Sequence, residues 1–137
     1  YKRACDGGNV SGCANLGDNY ENGLGGPKDL RKANALYKRA CDGGNILGCT
    51  NLGTNYVKGI GVAMDPRKGN RLLKRACGDG YMAACGKLGA SYVQGLGSVS
   101  DRVRGRRLLE KACWDHRDEW SCGFLKSNFK SNFKSNF

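Results

Sequence analysis

Eight cysteines are the most reactive side chains of this sequence, and they fall in four pairs: Cys5/Cys13, Cys41/Cys49, Cys77/Cys85 and Cys113/Cys122. The pairs recur every 36 residues, and the fourth is one residue wider than the others. Thiols at this spacing could close disulfides, ligate a metal as thiolates, or pack reduced in a core. Seven intervening residues are not the two to four of a zinc knuckle, and the single His116 adds little to a ligand set. A bridge closing about nine residues contributes roughly 2.5 kcal/mol in the chain-entropy description, so four would rival the roughly 5–15 kcal/mol that holds a small domain. Cross-linking is therefore the expected state, and no metal or cofactor is called for. Disulfides at this density imply an oxidising compartment, secreted or periplasmic.

Other reactive patterns dissolve on inspection. Ser127-x-x-Lys130 and Ser131-x-x-Lys134 match the Ser-x-x-Lys element of penicillin-recognising enzymes. Both lie within the tandem Lys126-Ser127-Asn128-Phe129 that repeats to Phe137, and a four-residue tandem generates the pattern automatically. There is no Lys-Thr-Gly, and Ser100-Asp101-Arg102 falls short of Ser-Asp-Asn. Gly-x-Gly recurs in one column without a preceding strand, which is turn chemistry rather than a nucleotide cradle. One histidine cannot furnish a Ser-His-Asp or Cys-His set. No catalytic residue is assigned. His116 is expected to be exposed before the last helix, with Trp114 and Trp120 packing the end of the array.

The elements that hold the cysteines follow from stacking residues 1–36, 37–72, 73–108 and 109–137. Tyr37-Lys38-Arg39-Ala40-Cys41 lies over Tyr1-Lys2-Arg3-Ala4-Cys5, and Leu73-Lys74-Arg75-Ala76-Cys77 and Leu109-Glu110-Lys111-Ala112-Cys113 follow. Leu16-Gly17, Leu52-Gly53 and Leu88-Gly89 share columns, as do Tyr20, Tyr56 and Tyr92, and Asp29, Asp65 and Asp101. So many coincidences at one period mark a repeat array. Cys13, Leu16, Gly17 and Tyr20 form one stripe of a first helix, in which glycine predicts close approach of a neighbouring helix. Gly23-Leu24-Gly25 and its counterparts end that helix. The aspartate column caps a second helix, whose buried stripe is Ala33, Leu36, Tyr37 and Ala40. Pro66 directly after Asp65 suits a first helical position.

The expected fold is all-α: an αα-hairpin solenoid with units at 9–44, 45–80 and 81–116. The end of a truncated repeat at 1–8 precedes them, and a capping helix at 117–130 and a low-complexity tail at 131–137 follow. Tyr1 already sits inside a repeat, so the chain is expected to be a segment without its N-terminal part. Phe129 falls on the Tyr20/Tyr56/Tyr92 column once the extra residue is counted, which draws the final helix toward it. No apolar run approaches the roughly 18 residues of a membrane span.

These columns resemble the Sel-one-like repeat, a relative of the tetratricopeptide repeat. Its pattern is readable in Leu16-Gly17-Asp18-Asn19-Tyr20, Gly23-x-Gly25, Asp29, and Lys32-Ala33 through Tyr37 and Ala40. The paired cysteines narrow the resemblance to the Helicobacter-type cysteine-rich repeat proteins, over residues 1–125. Pairing of sequence neighbours is preferred to a bridge across a unit, such as Cys13 to Cys41, which would strand Cys5 and Cys122. The resemblance implies the same pairing, and implies β-lactam binding or hydrolysis as an alternative activity. Related cysteine-rich proteins make the mitochondrial intermembrane space a second choice of compartment.

Lys and Arg number 23 against 12 acids, a formal charge of +11. Acidic partners suit that balance, but aromatics do not interleave with the basic residues as a base-stacking platform requires, so nucleic acid is not favoured. Opposite the apolar stripe the first helices are expected to present Asn15, Asp18, Asn19 and Asn22, then Asn51, Thr54, Asn55 and Lys58, then Lys87, Ser91 and Gln94. The resemblance to tetratricopeptide-type arrays makes this the concave side, a groove for an extended segment. Asparagine amides offer donor and acceptor to a peptide backbone, and the lysines meet carboxylates. The expected function is a monomeric scaffold for a protein or peptide ligand, with a basic module for acidic partners as a further alternative.

Overall fold

The computed structural model describes residues 5–97 and 100–129. Among them are seven α-helices and no strand: α1 (Val10–Asn22), α2 (Leu30–Asp42), α3 (Ile46–Lys58), α4 (Pro66–Gly78), α5 (Met82–Gln94), α6 (Arg102–Glu110) and α7 (Glu119–Asn128). None of these is long and apolar enough to cross a membrane. The chain divides into two compact units, Tyr1–Leu72 and Leu73–Phe137, with the boundary inside α4.

Local sequence sets each boundary. Asn9 and Asn45 cap α1 and α3 by accepting from the amides of Gly12 and Gly48. Asp29, Asp65 and Asp101 do the same for α2, α4 and α6 through Lys32, Lys68 and Arg104. Such caps satisfy N–H groups that have no partner within the helix, and each contributes about 1 kcal/mol. At the other end Gly23, Gly59 and Gly95 stop α1, α3 and α5 at φ of 68°, 72° and 69°, the left-handed region where a side chain is penalised.

In the first unit, Ala33, Tyr37 and Leu52 form one core, with Tyr20, Tyr56 and Leu72 packed at its edge. A second cluster gathers Cys5, Cys13, Ala14 and Ala40. In the second unit Ala90, Val93, Leu109, Cys113, Leu125 and Phe129 pack together. Paired helices meet at small residues. A methyl on Gly17 would lie 2.7 Å from the Tyr37 ring, and one on Gly89 would lie 2.6 Å from the carbonyl of Gly105. A methyl on Gly69 would meet the carbonyl of Gly53 at 2.5 Å. The close approach expected of the Leu-Gly column is therefore real.

Four disulfides join Cys5–Cys13, Cys41–Cys49, Cys77–Cys85 and Cys113–Cys122, with Cα separations of 4.4, 4.5, 4.7 and 4.8 Å. Cys41–Cys49 and Cys77–Cys85 link the last turn of one helix to the first turns of the next, α2 to α3 and α4 to α5. The widened fourth pair closes by a different local path. After α6 the chain makes a π-helical turn, Lys111–Asp115, and Arg117 then takes φ of 56°. In the unwidened turn the Gly44 amide bonds the Cys41 carbonyl and the Asn45 amide bonds that of Ala40. In the widened turn those roles pass to Arg117 with Cys113 and Asp118 with Ala112, each ring one residue larger. A π-turn is the ordinary way to absorb a single insertion. It leaves a non-glycine residue in the left-handed region, at a cost of about 1–2 kcal/mol.

Gly89→Ala is expected to destabilise the protein by about 1–3 kcal/mol, because its methyl meets backbone that cannot rotate away. Urea titration of the oxidised protein checks this, with exposed Gly123→Ala as the control that should be neutral or better.

Candidate functional site

A network of side-chain hydrogen bonds in the first unit is built around Tyr37. Its ring is fully buried against Gly17, and its hydroxyl lies 2.6 Å from Asp18 Oδ1 and 2.9 Å from Glu21 Oε2. From α3, Asn51 Nδ2 donates to Asp18 Oδ1 at 3.3 Å. Asn55 Nδ2 donates to Glu21 Oε1 at 3.1 Å and to Asn34 Oδ1 at 2.6 Å. Asn34 Nδ2 in turn donates to the Ile60 carbonyl at 2.8 Å, tying in the loop after α3. The network thus links three helices and a loop. Burial, then the hydrogen bond to Asp18 and the charge of Glu21, push the Tyr37 phenol far above its ordinary range.

The same columns two periods on, 72 residues later, read Ala90 for Asp18, Val93 for Glu21 and Leu109 for Tyr37. All three belong to the apolar core of the second unit. One backbone arrangement therefore carries a polar lock in one unit and an oily one in the other.

Several residues expected on an open binding face are held within the fold. Asn55 is buried at 3% exposure and Ser91 at 2%, the latter donating to the Leu96 carbonyl. This corrects their expected placement: each helix turns them toward polar partners inside its unit. Asp18 and Asn51 are half-buried and bonded to each other, and the Thr54 hydroxyl donates to the carbonyl of Thr50. Asn22 is exposed and donates to the Asp18 carbonyl, while Lys58 and Gln94 are exposed. Asn15, Asn19 and Lys87 are half-buried. Trp114 and Trp120 are 53% and 40% exposed, so they do not pack the end of the array as expected. Phe129 is buried in the core of the second unit, beneath the guanidinium groups of Arg102 and Arg106 at 4.5 and 5.1 Å. Ser127 is exposed on α7, and Lys130, Ser131 and Lys134 lie outside the described residues. All eight thiols are consumed in disulfides, leaving none as a nucleophile.

A cation column escaped the sequence reading. Lys32, Lys68 and Arg104 sit over the rings of Tyr20, Tyr56 and Tyr92 at 5.4, 4.7 and 4.7 Å. Each cation lies twelve residues after its tyrosine, a spacing visible in the sequence once the hairpin is drawn. Beside this column the first unit holds an open cleft of about 730 Å³ between α2, α3 and the 59–63 loop. Leu52, Tyr56, Asn34 and Val62 line it, with Arg31 and Lys38 as its charged residues and no carboxylate. Lys38 reaches Asp42 at 2.7 Å across open solvent, which holds its ammonium above the ordinary pKa, and Arg31 has no charged partner among the described residues.

Helical hairpins recurring at one period, joined by short disulfides, define a disulfide-braced α-repeat protein. The chain belongs to the Sel1 repeat family, whose pattern matches residues 10–45, 46–81 and 83–113. It is similar to a protective antigen of uropathogenic Escherichia coli strains that displays an SLR fold (30% identity, TM-score 0.84), covering 96% of this chain but 28% of that one. A Sel1 repeat protein from Oxalobacter formigenes is 30% identical with a TM-score of 0.74, over 92% of this chain and 94% of its own. Helicobacter pylori cysteine rich protein B is 28% identical with a TM-score of 0.66, over 90% and 93%. No curated protein sequence matches significantly. Sel1 repeats commonly mediate protein interactions and are generally non-catalytic scaffolds.

Tyr37→Phe is expected to cost about 1–2 kcal/mol, since two half-buried carboxylates lose a shared donor. The folded phenol titrates above the unfolded one, so its stabilisation is whole below the unfolded tyrosine pKa and is lost as pH rises through the folded value. Urea midpoints measured from neutral to alkaline pH should fall less steeply in Tyr37→Phe than in the native protein.

Proposed function

We propose that this chain is a scaffold that binds an extended, acidic protein or peptide segment, in the periplasm or outside the cell. The observation that carries this reading is the cleft of about 730 Å³ beside Tyr56, whose charged lining is wholly cationic. Its size lies in the range of about 300–1,000 Å³ in which proteins hold small ligands or side-chain anchors. Leu52 and Tyr56 offer an apolar floor, and Asn34 is fixed by two hydrogen bonds. Arg31 supplies a planar pair of donors for a carboxylate. The Lys38–Asp42 pair is about 60% exposed on both sides and so is readily exchanged for an incoming anion. Asn15 and Asn19 on α1 and Lys58 on α3 extend the polar surface available to the ligand in this unit. Lys87 and Gln94 on α5 offer a similar surface in the second unit. Four disulfides support an oxidising environment outside the cytosol.

Peptide display against the oxidised protein should enrich segments with an acidic residue beside an apolar one. Arg31→Glu should weaken an enriched peptide by about tenfold, roughly one charge-assisted contact. Isothermal titration is the readout. Binding that collapses between about 50 and 200 mM salt and ignores Arg31→Glu would assign diffuse adsorption to a basic surface instead.

A further inference from the structure

The one residue that breaks the repeat also opens a space. In the first unit the gap between the start of α1 and the turn after α2 is closed. Val10 packs onto Gly43 so tightly that no methyl would fit there, and Asn45 lies 3.5 Å from Ser11. At the matching place in the second unit, Met82 stands for Val10 and Tyr81 for Asn9. The π-turn and left-handed Arg117 carry the chain around a cleft of about 500 Å³ lined by Tyr81, Met82, His116, Arg117, Glu119 and Trp120. A second cleft of about 360 Å³ lies against the same Glu119 and Trp120 and continues along Phe124, Ser127 and Asn128. Gly123 leaves that side open, since a methyl there would touch nothing.

Trp120 is thus shared by two adjoining clefts. Its indole stacks on Phe124 with centroids 5.5 Å apart and planes 27° from parallel, so the ring is held as a platform while 40% of the residue faces solvent. Leaving so large an apolar face in water gains nothing for folding. The polar lining carries both signs. Arg117 stands with Glu119 and Asp118, and Asp118 is occupied in capping α7 through Ser121. A strongly anionic ligand meets the carboxylates, and a strongly cationic one meets the guanidinium. A purely apolar segment would strand all of these groups without partners. What fits is a neutral ring compound with an apolar face for the indole and hydroxyls for Arg117, His116 and Glu119. Two clefts meeting at one indole suit a chain of such rings. We propose that this end of the second unit is a binding site for a neutral oligosaccharide, separate from the acidic-segment cleft of the first unit.

The test titrates the purified, oxidised protein with cellohexaose, chitohexaose and maltohexaose, followed by tryptophan emission and calorimetry. At least one should bind with Kd below ~1 mM, and its disaccharide should bind about tenfold more weakly because only one cleft is filled. Trp120→Ala should weaken binding by at least about tenfold. Trp114→Ala, outside both clefts, should leave it within about twofold. Arg117→Gly separates fold from ligand. Glycine relieves the left-handed backbone, so the melting temperature should rise by a few degrees while binding falls. No binding by any of the three hexasaccharides up to ~5 mM overturns the proposal. So does binding unchanged in both Trp120→Ala and Arg117→Gly when melting shows the variants folded. Neither outcome bears on peptide binding at Arg31.

Discussion

Where the two helices of a hairpin cross, at least one of them lacks a Cβ, and the packing of each unit follows from that omission. Gly17 lets the Tyr37 ring come close against α1, where its hydroxyl meets Asp18 and Glu21. Gly89 and Gly105 bring α5 and α6 together backbone to backbone, so Leu109 and Val93 can close a core with few large side chains. Glycine in a helix interior costs about 1 kcal/mol of propensity. The contacts it permits, many atom pairs at van der Waals distance, outweigh that cost.

The two units show how one crossing supports opposite chemistry. Asp18, Glu21 and Tyr37 of the first unit stand as Ala90, Val93 and Leu109 in the second, and the repeat between them reads Thr54, Val57 and Leu73, with the Thr54 hydroxyl satisfied on its own helix. A single polar member in the second unit would be buried without its partners, and a single apolar member in the first would orphan two or three hydrogen-bonding atoms. Polar locks of this kind act as wholes. They also fix neighbours: Asn34 owes its orientation in the cleft wall to Asn55, which owes its own to Glu21.

Much of the architecture was legible because it is periodic. The aspartate caps, the left-handed glycines, the Leu-Gly column and the cysteine pairs each repeat at fixed offsets, and each has one physical reason to do so. The functional face was harder to read. Asn55 and Ser91 look like Asn15 and Asn19 in a sequence, because an amide or hydroxyl on a helix does not declare whether water or another side chain satisfies it. The joint replacement across columns 18, 21 and 37 was the available signal. The extra residue between Cys113 and Cys122 was plainly visible, but not that a π-turn would absorb it or that two tryptophans would be left in solvent. A one-residue insertion has several local solutions, and only packing chooses among them.

Each bridge joins two cysteines that are consecutive in the chain, eight or nine positions apart. Closing so short a loop needs no distant segment, so its entropic cost is small and independent of the rest of the polypeptide. A chain emerging N-terminus first therefore meets its correct bonds in order, one turn between helices at a time. Mispairing requires a thiol to ignore its nearest neighbour and wait for one about 28 residues further on, as Cys13 would have to wait for Cys41. Oxidative maturation of such an array can proceed as the chain emerges, with little need for an isomerase to reshuffle it.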